Sequence, residues 1–244
     1  MNIGVIIQAR MGSTRLPGKV LKQLDNKAVL SYVVERCKLM NHINEIIIAT
    51  TISSEDDAIV EWCIANDVAY FRGNENNVLE RYIQCAEKYN LEYIIRVTAD
   101  CPFVDFEIAN EVIELAMQDD NFDIWVIREN WSRGLAIELV KLEALKEISQ
   151  LVLEEKYLEH VTLYLYQNGI KFIRKNFEVS EDRKYPQFRL TIDTIEDFLV
   201  CSLIAKNFKS TSVTCLDIFE FLLVNPEIPN LNNTIQQSIV SGNN

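Results

Sequence analysis

A short segment near the start of the chain places glycines and positive charge directly after an apolar run. The run Ile3–Gln8 predicts a β-strand, and five residues of the following turn could hold an anion: Arg10, Gly12, Arg15, Gly18 and Lys19. Backbone N–H groups left free by a turn can donate to phosphate oxygens, and arginine or lysine adds charge around them. The segment therefore predicts a polyphosphate site. Because the chain as a whole carries a net charge of −12, its composition does not explain this local cluster of cations.

Two common phosphate-binding templates do not fit this segment. A P-loop has four residues between its first glycine and the Gly-Lys pair, followed by Ser or Thr. Here five residues separate Gly12 from Gly18, and Val20 stands at the hydroxyl position. The G-x-G-x-x-G dinucleotide fingerprint is absent from the sequence. A strand-to-helix turn whose cations are merely solvated is the alternative interpretation.

A first candidate metal ligand is Asp100, which follows the predicted strand Tyr93–Thr98 and precedes Pro102. Hard cations such as Mg²⁺ prefer oxygen ligands, and a carboxylate at a strand end is well placed to supply one. The alternative is that Asp100 caps the next helix. Asp105 is better placed for that role, because Ser, Thr, Asn and Asp cap best immediately before the first helical turn.

A second carboxylate, Asp193, follows the predicted strand Phe188–Ile192. Magnesium bound to a nucleotide usually takes one or two carboxylates together with phosphate oxygens and water, so Asp100 and Asp193 would form a sensible pair. Capping of the following helix by Asp193 or Thr194 is the competing interpretation. The hypothesis is that these two carboxylates lie close together in the fold and hold one Mg²⁺.

The elements that position these residues alternate between short β-branched runs and amphipathic stretches, which predicts an α/β protein with a mostly parallel, Rossmann-like wound sheet. The predicted strands are Ile3–Gln8, Glu45–Thr50, Val68–Phe71 and Tyr93–Thr98, and the predicted helices are Val29–Met40, Asp56–Asn66, Val78–Tyr89 and Phe106–Met117. Ligands bind beyond the carboxyl ends of such strands. Four strand ends are therefore expected to line one crevice: Gln8–Ala9, Thr50–Thr51, Arg72–Gly73 and Asp100.

The pattern loosens after a further apolar run, Asp123–Ile127. Residues 128–176 are interpreted as an insertion that shapes a substrate pocket or a subunit contact. The remaining predicted elements are the strands Ile137–Val140, Lys171–Asn176 and Phe188–Ile192 and the helices Leu142–Ile148, Glu154–Tyr166, Ile195–Asn207 and Leu216–Val224. Residues 1–228 are expected to form one domain, and residues 229–244, rich in Asn, Gln and Ser, a flexible tail.

Composition limits the functions that the chain could perform. At 244 residues and 48% hydrophobic content it can bury one substantial core. The acidic balance argues against nucleic-acid binding, because phosphate backbones attract basic proteins. No apolar run approaches the ~20 residues of a membrane span. Six cysteines without C-x-x-C spacing are expected to be reduced core thiols, which favours a cytoplasmic protein.

An ordered series of motifs resembles the cytidylyltransferase family that makes CMP-activated sugars, including CMP-KDO and CMP-sialic acid synthetases. The resemblance is strongest to the branch named for spore coat polysaccharide biosynthesis protein F and covers about residues 1–200. It is carried by Ile6–Val20, Ala49–Thr51 with Glu55–Asp57, Phe71–Gly73, Val78–Tyr82, Arg96–Pro102, Glu159–Thr162 and Arg189–Thr194. The fold implied by this resemblance is that of the nucleotide-diphospho-sugar transferases.

The resemblance also implies an activity, namely transfer of CMP from CTP to a sugar acid with release of pyrophosphate. The nucleotide would contact Gln8, Ala9, Arg10, Gly12, Ser13, Arg15, Lys19 and Arg72. Arg10, Lys19, Asp100 and Asp193 would be catalytic, and the two aspartates would hold the catalytic Mg²⁺. Other sugar nucleotidyltransferases, glycosyltransferases of related fold and an inactive nucleotide-binding homologue are the alternatives. A glycosyltransferase would normally show a D-x-D motif at a strand end, and Asp100-Cys101-Pro102 is not one.

Similar enzymes pair through the region of the insertion, and aromatic residues favour interfaces. The sequence therefore predicts a homodimer that uses a cluster of aromatic side chains: Trp125, Trp131, Tyr157, Tyr164 and Tyr166. The alternative is that these rings fill the core of a single chain.

Several positions depart from the pattern of the resembled family. Gln8 replaces a proline, Ala99 replaces a glycine, and the segment Arg133–Ala136 lacks the acidic residue that the branch often carries near Ala136. Glu159 and His160 resemble a family pair near the sugar, although a histidine on a helix is often structural. These departures leave the identity of the acceptor sugar open.

Overall fold

A seven-stranded sheet forms the centre of the computed structural model, which describes residues 1–127, 131–151 and 154–235. The strands of the described chain are β1 (Ile3–Gln8), β2 (Gln23–Leu24), β3 (Lys27–Ala28), β4 (Glu45–Thr51), β5 (Ala69–Gly73), β6 (Tyr93–Thr98), β7 (Ile124–Ile127), β8 (Glu138–Lys141) and β9 (Arg174–Phe177). The main sheet has the order β5-β4-β1-β6-β8-β7-β9, and β2 pairs with β3 in a separate hairpin. In the main sheet all pairings are parallel except those of β8 with β6 and with β7. The predicted α/β class with a mostly parallel sheet is confirmed.

Helices cover both faces of this sheet. They are α1 (Val29–Cys37), α2 (Asp57–Ala65), α3 (Val78–Lys88), α4 (Phe106–Gln118), α5 (Leu142–Leu151), α6 (Glu155–Glu159), α7 (Leu163–Gln167), α8 (Ile195–Phe208) and α9 (Cys215–Val224). Successive side chains of a strand point to opposite faces. Val5 and Ile7 accordingly pack in the core that contains α1 and α4, whereas Ile6 packs in the core that contains α3 and α5.

A third apolar cluster lies beside the sheet, where α8 and α9 pack on the β2–β3 hairpin and on residues 188–192. Both helices begin with a capping box, formed by Thr194 with Asp197 and by Thr214 with Asp217. Each box satisfies N–H groups that the first helical turn leaves without partners. The beginning of α8 is thereby fixed next to Asp193.

The prediction of a strand over Phe188–Ile192 is wrong. This buried segment makes a single bridge, between Arg189 and Arg133. Its backbone N–H groups donate to two different loops, from Leu190 to Arg133 O at 2.8 Å and from Ile192 to Asp100 O at 2.8 Å. An apolar β-branched run therefore lies extended between loops, a situation that side-chain periodicity does not distinguish from a strand.

The predicted helix Glu154–Tyr166 is also wrong, because residues 160–162 interrupt it and separate α6 from α7. At the break, Thr162 donates its hydroxyl to Glu138 on β8. The predicted strand at residues 171–176 begins three residues later, at Arg174. Of the predicted insertion, β8 and β9 are strands of the main sheet, and residues 128–130 and 152–153 lie outside the described residues.

One residue near the end of the described chain is anchored on the core. Asn232, assigned by sequence to the flexible tail, is 2% exposed and donates to Arg189 O at 3.0 Å and to Asp197 Oδ1 at 2.9 Å. Residues 236–244 lie outside the described residues. Within the described ranges no helix is long and apolar enough to cross a membrane. All six cysteines are free thiols, as predicted, and five of them are buried.

Candidate active site

A cleft of about 1030 Å³ opens at the carboxyl ends of β1 and β6. Most of the site residues predicted from the sequence lie in its lining: Gln8, Ala9, Arg10, Gly12, Ser13, Arg15, Lys19, Asp100 and Asp193. The parallel sheet brings the first strand and the fourth predicted strand side by side, with Gln8 opposite Thr98. Residues more than 180 positions apart in the chain therefore share one cavity.

Asp56 anchors the loop that follows β1. Its carboxylate accepts from Met11 N at 2.7 Å, and from Thr51 N at 3.1 Å and Thr51 Oγ1 at 2.5 Å, and the residue is 2% exposed. The sequence interpretation of Glu55–Asp57 as an acidic first helical turn missed this role. A carboxylate five residues beyond the end of a buried strand was the available signal, but helix-dipole stabilisation explained it equally well.

The loop closes around the carbonyl of Met11, which accepts from Ser13 N at 2.8 Å and from Gly18 N at 3.1 Å. The Ser13 hydroxyl accepts from Leu16 N at 3.3 Å. The N–H groups of Gly12, Thr14 and Arg15 have no hydrogen-bond partner among the described residues. These groups, and not the N–H of Ser13, are available to an anion in the cleft.

Gly18 turns the chain so that Lys19 enters the cleft. Its φ of +67° is a left-handed conformation that glycine adopts without the strain of a Cβ atom. Lys19 Nζ donates to Asp100 Oδ2 at 2.7 Å, to Asp193 Oδ1 at 3.1 Å and to Ile192 O at 2.6 Å. One ammonium thus bridges the two aspartates that the sequence singled out.

The charges in this cluster stabilise one another. Burial acts to lower the pKa of Lys19, but Asp100 and Asp193 outweigh it and the pKa is raised. Burial acts to raise the pKa of Asp193, and the surrounding cations, led by Lys19, outweigh it so that the pKa is lowered. Lys19 is therefore a charged ammonium between two carboxylates, and the cluster is arranged to hold positive charge.

Neither aspartate caps a helix in the structure. Asp105 caps α4 by accepting from Glu107 N and Ile108 N, and Thr194 caps α8. Asp193 receives Lys19 and Arg15 on Oδ1 and Arg189 on Oδ2. Both carboxylates are therefore directed to cations, as a metal or phosphate site requires.

Asp197, completely buried, fixes the turn that carries Asp193. It accepts from Arg189 Nε at 2.8 Å, from Asp193 N at 3.0 Å and from Thr194 N at 3.1 Å. Asn232 adds a fourth donor. Sequence reasoning assigned Asp197 only to the helix, because nothing in the local pattern shows that Arg189 and Asn232 converge on it.

Two arginines add unpaired charge to the cleft. Arg10 is exposed, and Arg133 is half-buried beside Arg189; neither makes an ion pair with any described residue. Arg133 reaches this place because Gly134, with φ of +94°, lets residue 190 approach closely; a Cβ there would lie 2.6 Å from Leu190 C. A buried cation without a counterion favours an anionic ligand.

Arg72 lies outside the lining of the cleft. Its guanidinium donates to Thr51 O and Ser53 O, each at 2.8 Å, and pairs with Asp57 at 2.7 Å. The ends of β4 and β5 are thus tied to the segment before α2 and do not line the cleft. The expectation that four strand ends line one crevice is wrong for these two, and contact of Arg72 with a nucleotide stays a prediction.

The far wall of the cleft consists of residues from β6, β8, α6 and the turn after α6. Arg96 on β6 and Glu138 on β8 form its floor, and α6 with the turn after it supplies Glu155, Lys156, Glu159 and His160. We call residues 155–160 the acceptor wall, because we propose below that they face the acceptor. Glu159 and His160 do lie in the same cavity as Lys19, about 140 positions earlier in the chain.

The expected Mg²⁺ requires oxygen ligands that converge on one point. No group of three or more His, Cys, Asp or Glu side chains converges in the described part of the chain. Asp100 and Asp193 do converge, because both contact the ammonium of Lys19. The ammonium therefore lies at a position where two carboxylates stabilise positive charge. Two carboxylates are the number that Mg²⁺ takes when phosphates and water complete its shell, so the residues fit this ion.

A doubly wound sheet with a cationic loop and paired carboxylates at its carboxyl edge defines a nucleotide-binding α/β protein of the nucleotidyltransferase class. The family model for cytidylyltransferases matches residues 4–222. The chain is 35% identical over 228 residues to spore coat polysaccharide biosynthesis protein SpsF of Bacillus subtilis, covering 91% of this chain and 94% of SpsF.

Solved structures agree with this assignment. A cytidylyltransferase from Leptospira borgpetersenii superposes with a TM-score of 0.89 at 33% identity, covering 97% of this chain and all of that chain. The CMP:2-keto-3-deoxy-manno-octonic acid synthetase, solved with CTP, shares the fold at a TM-score of 0.67 and 16% identity, covering 85% and 100%. The chain belongs to the cytidylyltransferase family and is a nucleotidyltransferase, as the resemblance of its motifs predicted.

Proposed function

We propose that this protein transfers CMP from CTP to a sugar acid, with Mg²⁺ as cofactor, in the cleft between the loop after β1 and the acceptor wall. The observation that carries the proposal is the cluster of Lys19 with Asp100 and Asp193 beside the cationic loop. Because SpsF is named for spore coat polysaccharide biosynthesis, we propose that the product serves a surface polysaccharide or glycan.

In the proposed reaction a hydroxyl oxygen of the acceptor attacks the α-phosphorus of CTP, and its proton is released to solvent. The bond from the α-phosphorus to the bridging oxygen of the β-phosphate breaks, pyrophosphate leaves, and the CMP-sugar remains. No enzyme nucleophile is required, which agrees with the engagement of the Ser13 hydroxyl by Leu16 N–H. Positioning and electrostatic stabilisation supply the rate enhancement in such transfers.

The residues of the loop would bind and orient the triphosphate. Arg10 and Arg15, both exposed at the cleft, would pair with phosphate oxygens, and Lys19 would offset charge that builds on the departing pyrophosphate. The free N–H groups of residues 12, 14 and 15 would donate to the same oxygens. Mg²⁺, held by Asp100 and Asp193, would polarise the α-phosphate when bound.

An acidic acceptor suits the other half of the cleft. Arg133 is half-buried without an ion-pair partner in the described residues and lies beside the Lys19 cluster. A carboxylate on the acceptor would give it a bidentate counterion. The carboxylate side chains of the acceptor wall would accept hydrogen bonds from sugar hydroxyls.

Nucleotide choice is the first test. Isothermal titration with CTP, ATP, GTP and UTP, each with and without Mg²⁺, should show CTP bound at least tenfold more tightly than the others, and only with the metal present. A tenfold preference corresponds to about 1.4 kcal/mol. Preference for another nucleotide, or binding indifferent to Mg²⁺, would contradict the proposal.

We also propose a homodimer, although the aromatic residues that suggested it do not support it. Trp125, Tyr157 and Tyr164 pack against neighbouring rings of the same chain, and Trp131 packs on Phe219. These side chains fill the core of the single chain. The support comes instead from two exposed apolar residues that precede β9, the strand at one edge of the sheet.

The exposed residues are Ile170, fully exposed, and Ile173, 44% exposed. Light scattering at micromolar concentration should give twice the chain mass of 28.2 kDa. Replacement of both isoleucines by lysine should shift the protein to the monomer, because charges at an edge oppose pairing. A wild-type protein that is monomeric throughout this range would exclude the dimer.

A further inference from the structure

Glu138 is the centre of a polar network at the floor of the cleft. It lies on β8 opposite Arg96 on β6, and its side chain is 15% exposed. The carboxylate accepts from Arg96 Nη1 at 2.9 Å and from Thr162 Oγ1 at 2.9 Å, and Tyr166 donates its hydroxyl to the other oxygen. Three donors, one on β6 and two in the segment 162–166, therefore converge on one half-buried acid.

Two of these donors belong to the segment that carries the acceptor wall. Thr162 ends the break between α6 and α7, and Tyr166 lies four residues later, on the same side of α7. His160 is within this break and Glu159 immediately precedes it, both lining the cleft. Burial and the charge of Glu138 raise the pKa of Tyr166, so the phenol stays a donor.

Glu138 is poorly placed to bind a ligand itself. A carboxylate offers about four lone-pair positions, and three are occupied by donors of the protein. Its charge is already balanced by Arg96. The network therefore joins parts of the protein, even though its surface forms part of the cleft.

We propose that Glu138 is a positioning residue for the acceptor: through Thr162 and Tyr166 it clamps α7 to the sheet and so holds Glu159 and His160 over the cleft. We call these three residues the clamp. The proposal rests on the proposed function in that the ligand of this wall is taken to be the acceptor. The clamp then affects the affinity for the acceptor and does not affect the affinity for the nucleotide.

Direct replacement of Glu138 is a poor test, because it would leave Arg96 buried without its counterion and could unfold the protein. Tyr166→Phe and Thr162→Val each remove one arm of the clamp and keep the ion pair. Tyr164→Phe is the matched control: it removes a hydroxyl from the same helix, and that hydroxyl has no hydrogen-bond partner among the described residues, while its ring contacts with Tyr157 and Phe172 remain.

The first measurement is amide hydrogen exchange of residues 155–167 in the full chain. Faster exchange in this segment is expected for Tyr166→Phe and Thr162→Val, and unchanged exchange in the loop of residues 10–20. Tyr164→Phe should exchange like the wild type. Wild-type protection of residues 155–167 in both clamp variants would overturn the proposal, whatever the activity of the protein.

The second measurement is pyrophosphate release with 3-deoxy-manno-octulosonate and with N-acetylneuraminate as probe acceptors. KM for an acceptor that is used should rise about tenfold in each clamp variant, as expected for a lost hydrogen bond to a charged group. KM for CTP and kcat at saturation should stay within about twofold. Equal rises in both KM values would overturn the acceptor-specific role, whereas no turnover with any acceptor would count against the proposed function and leave the exchange result to decide the clamp.

Discussion

Asparagine at Asp100 or at Asp193 is expected to lower kcat by about 100-fold or more, equivalent to roughly 2.7 kcal/mol of barrier. Both carboxylates face Lys19 in the cleft and neither caps a helix. In the proposed reaction their negative charge would hold Mg²⁺ and Lys19 beside the phosphates, and an amide removes that charge with little change of shape. Steady-state turnover at saturating CTP and Mg²⁺ measures the loss.

Asp105→Asn is the control for this prediction. Asp105 is buried, lies five residues from Asp100 and caps α4 through Glu107 N and Ile108 N. Asparagine caps about as well as aspartate, so turnover should stay close to that of the wild type. Near wild-type kcat in either Asp100→Asn or Asp193→Asn would show that a structural carboxylate had been interpreted as a catalytic one.

The second large effect concerns stability. Asp197→Ala should lower the free energy of unfolding by about 3–5 kcal/mol, because removal of one partner leaves the charge of Arg189 buried and poorly compensated. The variant also loses the acceptor for Asp193 N, Thr194 N and Asn232. Urea denaturation followed by far-UV circular dichroism gives the change.

Glu196→Ala provides the comparison, because Glu196 is the exposed neighbour of Asp197 in the same first turn. Its loss should cost less than about 1 kcal/mol, the usual contribution of an exposed acid near a helix N-terminus. Equal midpoints for Asp197→Ala and the wild type would mean that the network around Arg189 does not stabilise the turn at Asp193.

The sequence was sufficient to predict the main strands and helices of the first half of the fold, although not the β2–β3 hairpin. Strands β1, β4 and β6 are short apolar runs with clear boundaries, and the helices between them have an amphipathic repeat. The position of Asp100 and of the loop cations in one cleft could also be predicted, since the carboxyl ends of parallel strands meet at one edge. These inferences depend on local patterns and on one topological rule.

The second half depends on contacts that no local pattern records. The break between α6 and α7 follows from the bond of Thr162 to Glu138, and the extended run at 188–192 follows from loops that accept its N–H groups. The anchoring by Asp56 and Asp197 escaped prediction for the same reason. At Glu138, Asp56 and Asp197, one carboxylate accepts hydrogen bonds from segments far apart in the chain, whereas the run at 188–192 donates to backbone carbonyls of two loops.

Product analysis tests the central claim most directly. The wild-type protein should be incubated with CTP, Mg²⁺ and each member of a panel of sugar acids, and the mixture analysed by mass spectrometry together with a pyrophosphate assay. We expect one acceptor or more to give a CMP-sugar in amounts equal to the pyrophosphate released, with Asp100→Asn inactive and Asp105→Asn active. Pyrophosphate released without a CMP adduct, or an adduct formed from another nucleotide in preference to CTP, would contradict the assignment of this cleft.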